Sequence, residues 1–144
     1  MKLRRPAQAA LVLALACPVL PTAPAWSAPA SHSRAVIQPP LPVEDFPPQV
    51  ERACEIWLDL GWPTNPRPVD FRLPGPEYIR GGNPYGNRSG DLPPGGAYRE
   101  YDVNPRPTPT TRRDAERLVR DGATDRTWYT SDHYTDFREV SDGC

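Results

Sequence analysis

Between Gln49 and Leu60 (QVERACEIWLDL) the apolar residues Val50, Ala53, Cys54, Trp57 and Leu58 fall at i, i+3, i+4, i+7 and i+8. That spacing predicts one amphipathic helix, with Pro47-Pro48 as its start signal and Gly61 and Pro63 as its stop. Beyond it the period changes. From Pro63 to Pro84 short apolar stretches around Val69-Asp70-Phe71 and Tyr78-Ile79 are broken up by Pro and Gly, which predicts loops with one or two short strands. Ala97 to Val103 (AYREYDV) alternates as a strand does, and Arg126–Tyr134 and Asp136–Val140 predict two more joined by a turn. One N-terminal helix followed by several short strands predicts an α+β fold, with the helix packed on an antiparallel β-sheet. No internal repeat is present.

The first residues follow different rules. Met1-Lys2-Leu3-Arg4-Arg5 is basic, Ala9 to Cys17 (AALVLALAC) is apolar, and Ala23-Pro24-Ala25 and Ala28-Pro29-Ala30 both fit an A-x-A cleavage site. The apolar run falls short of the roughly 20 residues that span a bilayer. Residues 1–30 are therefore expected to be a secretory signal peptide, cut after Ala25 or Ala30, making the protein secreted and extracellular rather than membrane-bound. A lipid anchor at Cys17 is the rival, disfavoured by Ala14 where such signals carry Leu. Residues 31–45 are rich in Pro and are expected to form a leader, followed by one domain over 46–144.

Removing the signal changes the charge. Of 17 basic residues 14 remain, against 18 acidic ones, a net charge of −4. A broad cationic footprint for nucleic acid is absent, so any RNA contact has to come from a local arginine cluster. Cys54 and Cys144 are the two cysteines left, and an exported chain most often pairs two such residues. Two free thiols are the alternative.

Three groups of residues could carry chemistry. Tyr98, Glu100 and Asp102 share one face of a predicted strand. Arg112-Arg113-Asp114-Ala115-Glu116-Arg117 is either a helix start capped by Thr111 or a phosphate clamp, since arginine forks match phosphate oxygens. Asp132-His133-Tyr134 holds the only histidine outside the leader. A metal site is not expected, because no second His or Cys pair stands at ligand spacing, and no cofactor motif appears. Cleaving RNA through its own 2′-hydroxyl needs a base, an acid and fixed positive charge on the phosphate. A carboxylate, an imidazole and arginines meet that need.

The order of these motifs resembles the barnase-like, microbial guanyl-specific ribonucleases, over most of residues 46–144. Phe46-Pro47-Pro48 and the helix, Asn87-Arg88 with Leu92-Pro93, Tyr98-Arg99-Glu100-Tyr101-Asp102-Val103, Arg113-x-x-x-Arg117-Leu118-Val119, and Asp132-His133-Tyr134 with Phe137 carry the likeness. The resemblance implies the microbial ribonuclease fold, with residues 112–120 running from a loop into a strand instead of a helix. It also implies an endoribonuclease cutting single-stranded RNA 3′ of guanosine through a 2′,3′-cyclic phosphate. Glu100 would be the base and His133 the acid. Arg113, Arg117 and Tyr134 would hold the phosphate, Asp102 would aim the arginines, and Tyr85, Asn87 and Arg88 would serve the base. Because an RNA-degrading enzyme is toxic inside its maker, a small acidic inhibitor of barstar type is the expected partner, and a monomer is the default for a chain of this size.

Three departures stand out. Ser89 replaces the family's guanine-reading Glu, and a hydroxyl is a weaker acceptor than a carboxylate. Asp91 follows two residues later, as a carboxylate that could reach in. The stretch from Pro93 to Glu100 is about two residues short, and Cys54 lies inside the helix instead of before it. A catalytically weak, secreted binding module on the same fold is the alternative that Ser89 and the shortened stretch motivate. A small disulfide-bonded protease inhibitor shares only size, export and proline content.

Overall fold

The computed structural model describes residues 36–144. The expected signal peptide, its two cleavage points and the leader as far as residue 35 lie outside the described residues. The described residues form seven strands and one α-helix, with a short 3-10 turn at Val43–Asp45: β1 (Val36–Leu41), α1 (Pro48–Asp59), β2 (Val69–Arg72), β3 (Tyr78–Pro84), β4 (Tyr98–Asp102), β5 (Arg117–Asp121), β6 (Thr127–Thr130) and β7 (Asp136–Val140). They form one sheet in the order β1-β7-β6-β5-β4-β3-β2.

The expectation of an antiparallel sheet needs correction. Strands β2 to β7 pair antiparallel, but β1 pairs parallel with β7, so the sheet is mixed. The extra strand comes from Val36–Leu41 (VIQPPL), inside the stretch expected to be leader. Pro39 and Pro40 masked it, because proline cannot donate to a ladder. An edge strand tolerates them, and the pairing register shifts between Gln38 and Leu41, where they sit.

Helix α1 buries Val50, Ala53, Cys54 and Trp57, the face its sequence predicts, whereas Leu58 is exposed. Pro48 occupies the first turn, where its missing N–H costs nothing. The helix ends because Gly61 turns left-handed at φ 72°, Gly61 N–H bonds Leu58 O at 3.0 Å, and Trp62 N–H bonds Trp57 O at 2.9 Å. These paired bonds satisfy carbonyls that the last turn would leave bare.

The sheet buries both faces. On one side Tyr101, Val103, Leu118 and Tyr129 pack with Val50, Ala53, Cys54 and Trp57 of α1. On the other, Tyr98, Val119, Trp128 and Phe137 enclose Leu92, with Tyr85 and Tyr134 against them. The consecutive pair Leu118-Val119 feeds both cores, which only a strand allows. This settles residues 117–121 as a strand. Gly81 lets β3 approach the helix: a Cβ there would lie 2.5 Å from the Tyr101 ring and 2.7 Å from Trp57.

Cys54 and Cys144 are disulfide-bonded, with Cα atoms 4.9 Å apart, tying the buried face of α1 to the end of the chain. The bond closes a separation of 90 residues. By chain entropy that stabilises by about 4.5 kcal/mol. A Cys54→Ser/Cys144→Ser protein is predicted to lose roughly 2–5 kcal/mol of unfolding free energy in urea titration. A loss below about 1 kcal/mol would mean that the cross-link carries none of the fold.

Candidate active site

The β4 strand presents Tyr98, Glu100 and Asp102 on the face away from α1, between β3 and β5. Register then chooses their neighbours. Glu100 stands opposite Asn83 on β3 and Val119 on β5, and Asp102 stands opposite Arg117.

Asp102 is buried, 1% exposed, and a buried carboxylate needs cations and hydrogen bonds around it. Arg113 supplies both, with Nε donating to Oδ1 at 2.6 Å and a terminal nitrogen at 2.5 Å from the same oxygen. Arg117 Nε stands 3.5 Å from Oδ1 and Arg106 Nε 3.7 Å from Oδ2. Burial is the largest influence on Asp102 and leaves its carboxyl above the ordinary value, against the pull of Arg113, Arg117 and Arg106. Arg106 is held in turn by Asp70 at 2.5 Å, and Asp70 also bonds Arg80.

Glu100 sits above this layer. Asn83 Nδ2 donates to its Oε1 at 2.5 Å, the Tyr134 hydroxyl donates to Oε2, and Arg113 approaches Oε1 at 3.4 Å. Burial alone would raise the Glu100 pKa. The hydrogen bonds from Tyr134 and Asn83 and the charges of Arg113 and Arg117 outweigh it, so the carboxyl is held below its ordinary value. Glu100 is thereby kept ionised and able to accept a proton.

His133 and Tyr134 come from the β6–β7 turn, where both adopt positive φ, 60° and 75°. Such backbone is uncommon for residues with side chains and persists where the surroundings fix it. Here Asp132 Oδ1 accepts from Thr135 N–H and Asp136 N–H, each at 3.0 Å. Tyr134 N–H bonds Thr130 Oγ1 at 3.0 Å, and His133 N–H bonds Ala115 O at 3.2 Å. The turn stands the exposed His133 ring 4.7 Å from the ring of Tyr134, whose hydroxyl reaches Glu100. His133 also lines an open cleft of about 480 Å³ with Arg112, Arg113, Asp114, Ala115 and Arg117.

The expected base-binding residues are divided. Tyr85 lies 4.9 Å from the Tyr134 ring and lines a second pocket of about 410 Å³ with Asn87, Leu92 and Tyr98. Asn87, at φ 40°, spends its side chain on the loop itself: its Nδ2 donates to Leu92 O at 2.9 Å, and its Oδ1 accepts from Leu92 N–H at 3.1 Å. Arg88 is exposed and is not brought against the other site residues. Ser89 donates to Asp91, which is buried at 4% exposure, so the loop's carboxylate turns inward.

The structure thus gathers Glu100, Asp102, Arg113, Arg117, His133, Tyr134 and Tyr85, and leaves Arg88 apart. Sequence reasoning missed Asn83 and Arg106. No local signal marks Asn83, whose position opposite Glu100 depends on the register shift between Gly81 and Asn83. Arg106 lies four residues beyond Asp102 in a Pro-rich stretch that gave no period.

A carboxylate held ionised, an exposed imidazole and paired arginines match the needs of phosphodiester cleavage. A family model described as ribonuclease matches residues 30–141. The chain belongs to the ribonuclease family. No curated protein matches it. RNA is therefore the substrate against which this ribonuclease site is to be judged.

Asn83 supports the ionised form of Glu100, which sets the direction of a pH effect. With its folded pKa lowered, Glu100 contributes stability at pH values above its unfolded pKa, lost as pH falls through the folded one. In Asn83→Ala one donor is gone and the Glu100 pKa rises. The acid limb of kcat/KM on RNA should then move to higher pH while the alkaline limb stays. An unmoved acid limb would show that Asn83 does not tune Glu100.

Proposed function

We propose that this ribonuclease is a secreted endoribonuclease that cuts single-stranded RNA without a metal, by transphosphorylation. Glu100 takes the proton from the 2′-hydroxyl, whose oxygen attacks the adjacent phosphorus. His133 protonates the departing 5′-oxygen, leaving a 2′,3′-cyclic phosphate and a 5′-hydroxyl. Hydrolysis of the cyclic phosphate follows with the two roles reversed. Arg113 and Arg117 neutralise the phosphoryl oxygens as charge develops on them. On binding, Tyr134 turns its hydroxyl from Glu100 to the phosphate. The observation that carries the reading is Glu100 kept ionised by Asn83, Tyr134 and Arg113, where Tyr134 also stacks near the His133 ring and Arg113 also lines the cleft of His133 and Arg117.

The cut falls 3′ of guanosine, with Tyr85 and the backbone of the Asn87–Leu92 loop serving the base and Arg88 at its rim. Because Ser89 and Asp91 bond to each other, that preference is weaker than a free carboxylate would give. Export is supported by the N-terminal basic and apolar run and by the disulfide. A monomer, inhibited inside the producing cell by an acidic barstar-type protein that docks on the arginines, completes the proposal. The inward-turned loop also favours a second reading, a ribonuclease fold that binds RNA and turns it over poorly.

The deciding experiment incubates residues 36–144 with short RNAs of each base in excess chelator and identifies the product ends. Cyclic phosphates after guanosine are expected, with kcat falling roughly 10²–10⁴-fold in His133→Ala. Intact RNA from a folded protein would favour the binding module, and cleavage that stops in chelator would overturn the metal-free mechanism.

A further inference from the structure

The mechanism above leaves a buried cation without a task. Arg106 is 5% exposed, and its backbone is paired with β3: Arg106 N–H bonds Tyr78 O and Tyr78 N–H bonds Arg106 O, each at 2.7 Å. A guanidinium so far from water has to spend its nitrogens on acceptors and acids. Nη2 donates to Asp70 Oδ1 at 2.5 Å, and Nη1 donates to Pro109 O at 2.9 Å and to Thr111 O at 2.8 Å. Nε faces Asp102 Oδ2 at 3.7 Å. Arg106 thus ties Asp70 of β2 to the loop that leads into Arg113, and it closes one side of Asp102.

The two oxygens of Asp102 are used unequally. Arg113 and Arg117 make their closest approaches to Oδ1, at 2.5 and 3.5 Å, and Oδ2 accepts no hydrogen bond among the described residues. An arginine beside a carboxylate favours the two-pronged grip, one N–H to each oxygen. Arg113 does not take it. Its Nε and Nη2 converge on Oδ1, and Nη1 and Nη2 stand 3.4 Å from Glu100 Oε1. Arg106 accounts for this choice: a second guanidinium on the Oδ2 side would meet its charge at close range, and it holds the carbonyl of Thr111, two residues before Arg113.

Glu100 registers where the Arg113 fork points. Burial raises its carboxyl, and the hydrogen bonds of Tyr134 and Asn83 with the charges of Arg113 and Arg117 outweigh that. Tyr85 lies within the field of Glu100. Around Asp102 stand Arg113, Arg117 and Arg106, with Arg80 acting on it from β3. Turning the Arg113 fork onto both oxygens of Asp102 takes one cation from Glu100 and leaves the other groups in place. The Glu100 carboxyl then becomes easier to protonate.

We propose that Arg106 is a positioning residue of the reaction: by filling the Oδ2 side of Asp102 and pinning the loop, it confines Arg113 to Oδ1 and keeps the Arg113 fork turned to Glu100 and the phosphate. The proposal rests on the reading of Glu100 as the base and of Arg113 as a phosphate ligand. Without Arg106, the Arg113 fork takes both oxygens of Asp102 and leaves the reacting groups.

The test uses Arg106→Gln, which removes the charge, and Arg106→Lys, which keeps a charge without the fork that reaches Asp70, the loop carbonyls and Asp102 together. On a minimal RNA substrate Arg106→Gln should lower kcat roughly tenfold or more, with KM changing less, and move the acid limb of kcat/KM to higher pH. Arg106→Lys should move both in the same direction by less. A loss of stability alone lowers the amount of folded enzyme and leaves the acid limb in place, so an unmoved limb in Arg106→Gln overturns the proposal. If that variant does not fold, Arg106→Lys decides by the same criterion. A second measurement needs no turnover: titration of the Glu100 side-chain carboxyl by NMR in RNA-free protein. Its pKa should rise in Arg106→Lys, and adding Arg106→Lys to Arg113→Ala should raise it no further, because Arg106 acts through Arg113. An equal rise in both backgrounds would show a direct effect on Glu100 and overturn the proposal. If wild type cuts no RNA, the catalytic reading fails, and this titration alone decides whether Arg106 positions Arg113.

Discussion

The carboxylate of Asp102 is the constraint on which the site depends. It is almost wholly buried, and three guanidinium groups, from Arg106, Arg113 and Arg117, close around it. Removing one member of such a set leaves uncompensated charge in a low-dielectric place, at a cost of about 3–5 kcal/mol. The same residue ties the site to the core, because its backbone oxygen accepts the Trp57 indole N–H at 2.8 Å. Helix, central strand and arginine loop therefore meet at one position. Arg113 is aimed by Asp102 and still reaches Glu100, so aiming of the cation and ionisation of the carboxylate above it share a cause.

The second organising device is local. Two successive residues with positive φ would drift in a free turn, but the Asp132 carboxylate takes two backbone N–H groups and Ala115 O takes a third. This clamps the β6–β7 turn to the arginine segment. His133 is in this way held by the backbone of Ala115, between the two paired arginines in sequence, which accounts for an exposed imidazole sitting in a defined place. The disulfide acts at a distance, fixing α1 against the chain end that follows β7.

Much of this was legible in the sequence because it is periodic or conformationally forced. The buried face of α1, the Gly61 stop and the alternation of Glu100 and Asp102 on β4 follow from spacing alone. The segment around Leu118-Val119 was not legible that way: its charges fit a helix, and only two cores on opposite faces of a sheet make its consecutive apolar residues a strand. Strand β1 was hidden by its prolines, which an edge position excuses. Asn83 and Arg106 act across strands and loops, through register and ion pairing that no local pattern encodes. Asn87 fits the expected motif, yet its amide closes its own loop.

Together these features describe a site in which a carboxylate is held ionised, an exposed imidazole stands near the tyrosine that bonds that carboxylate, and arginines line the cleft beside that imidazole. The proposed mechanism makes the carboxylate the base and the imidazole the acid. The most direct measurement of that account is the pH dependence of kcat/KM for Glu100→Gln on a minimal RNA substrate. With no carboxylate to protonate, the residual activity should lose its acid limb and keep its alkaline one. Both limbs persisting as in wild type would contradict the account, because the base would then be some group other than Glu100.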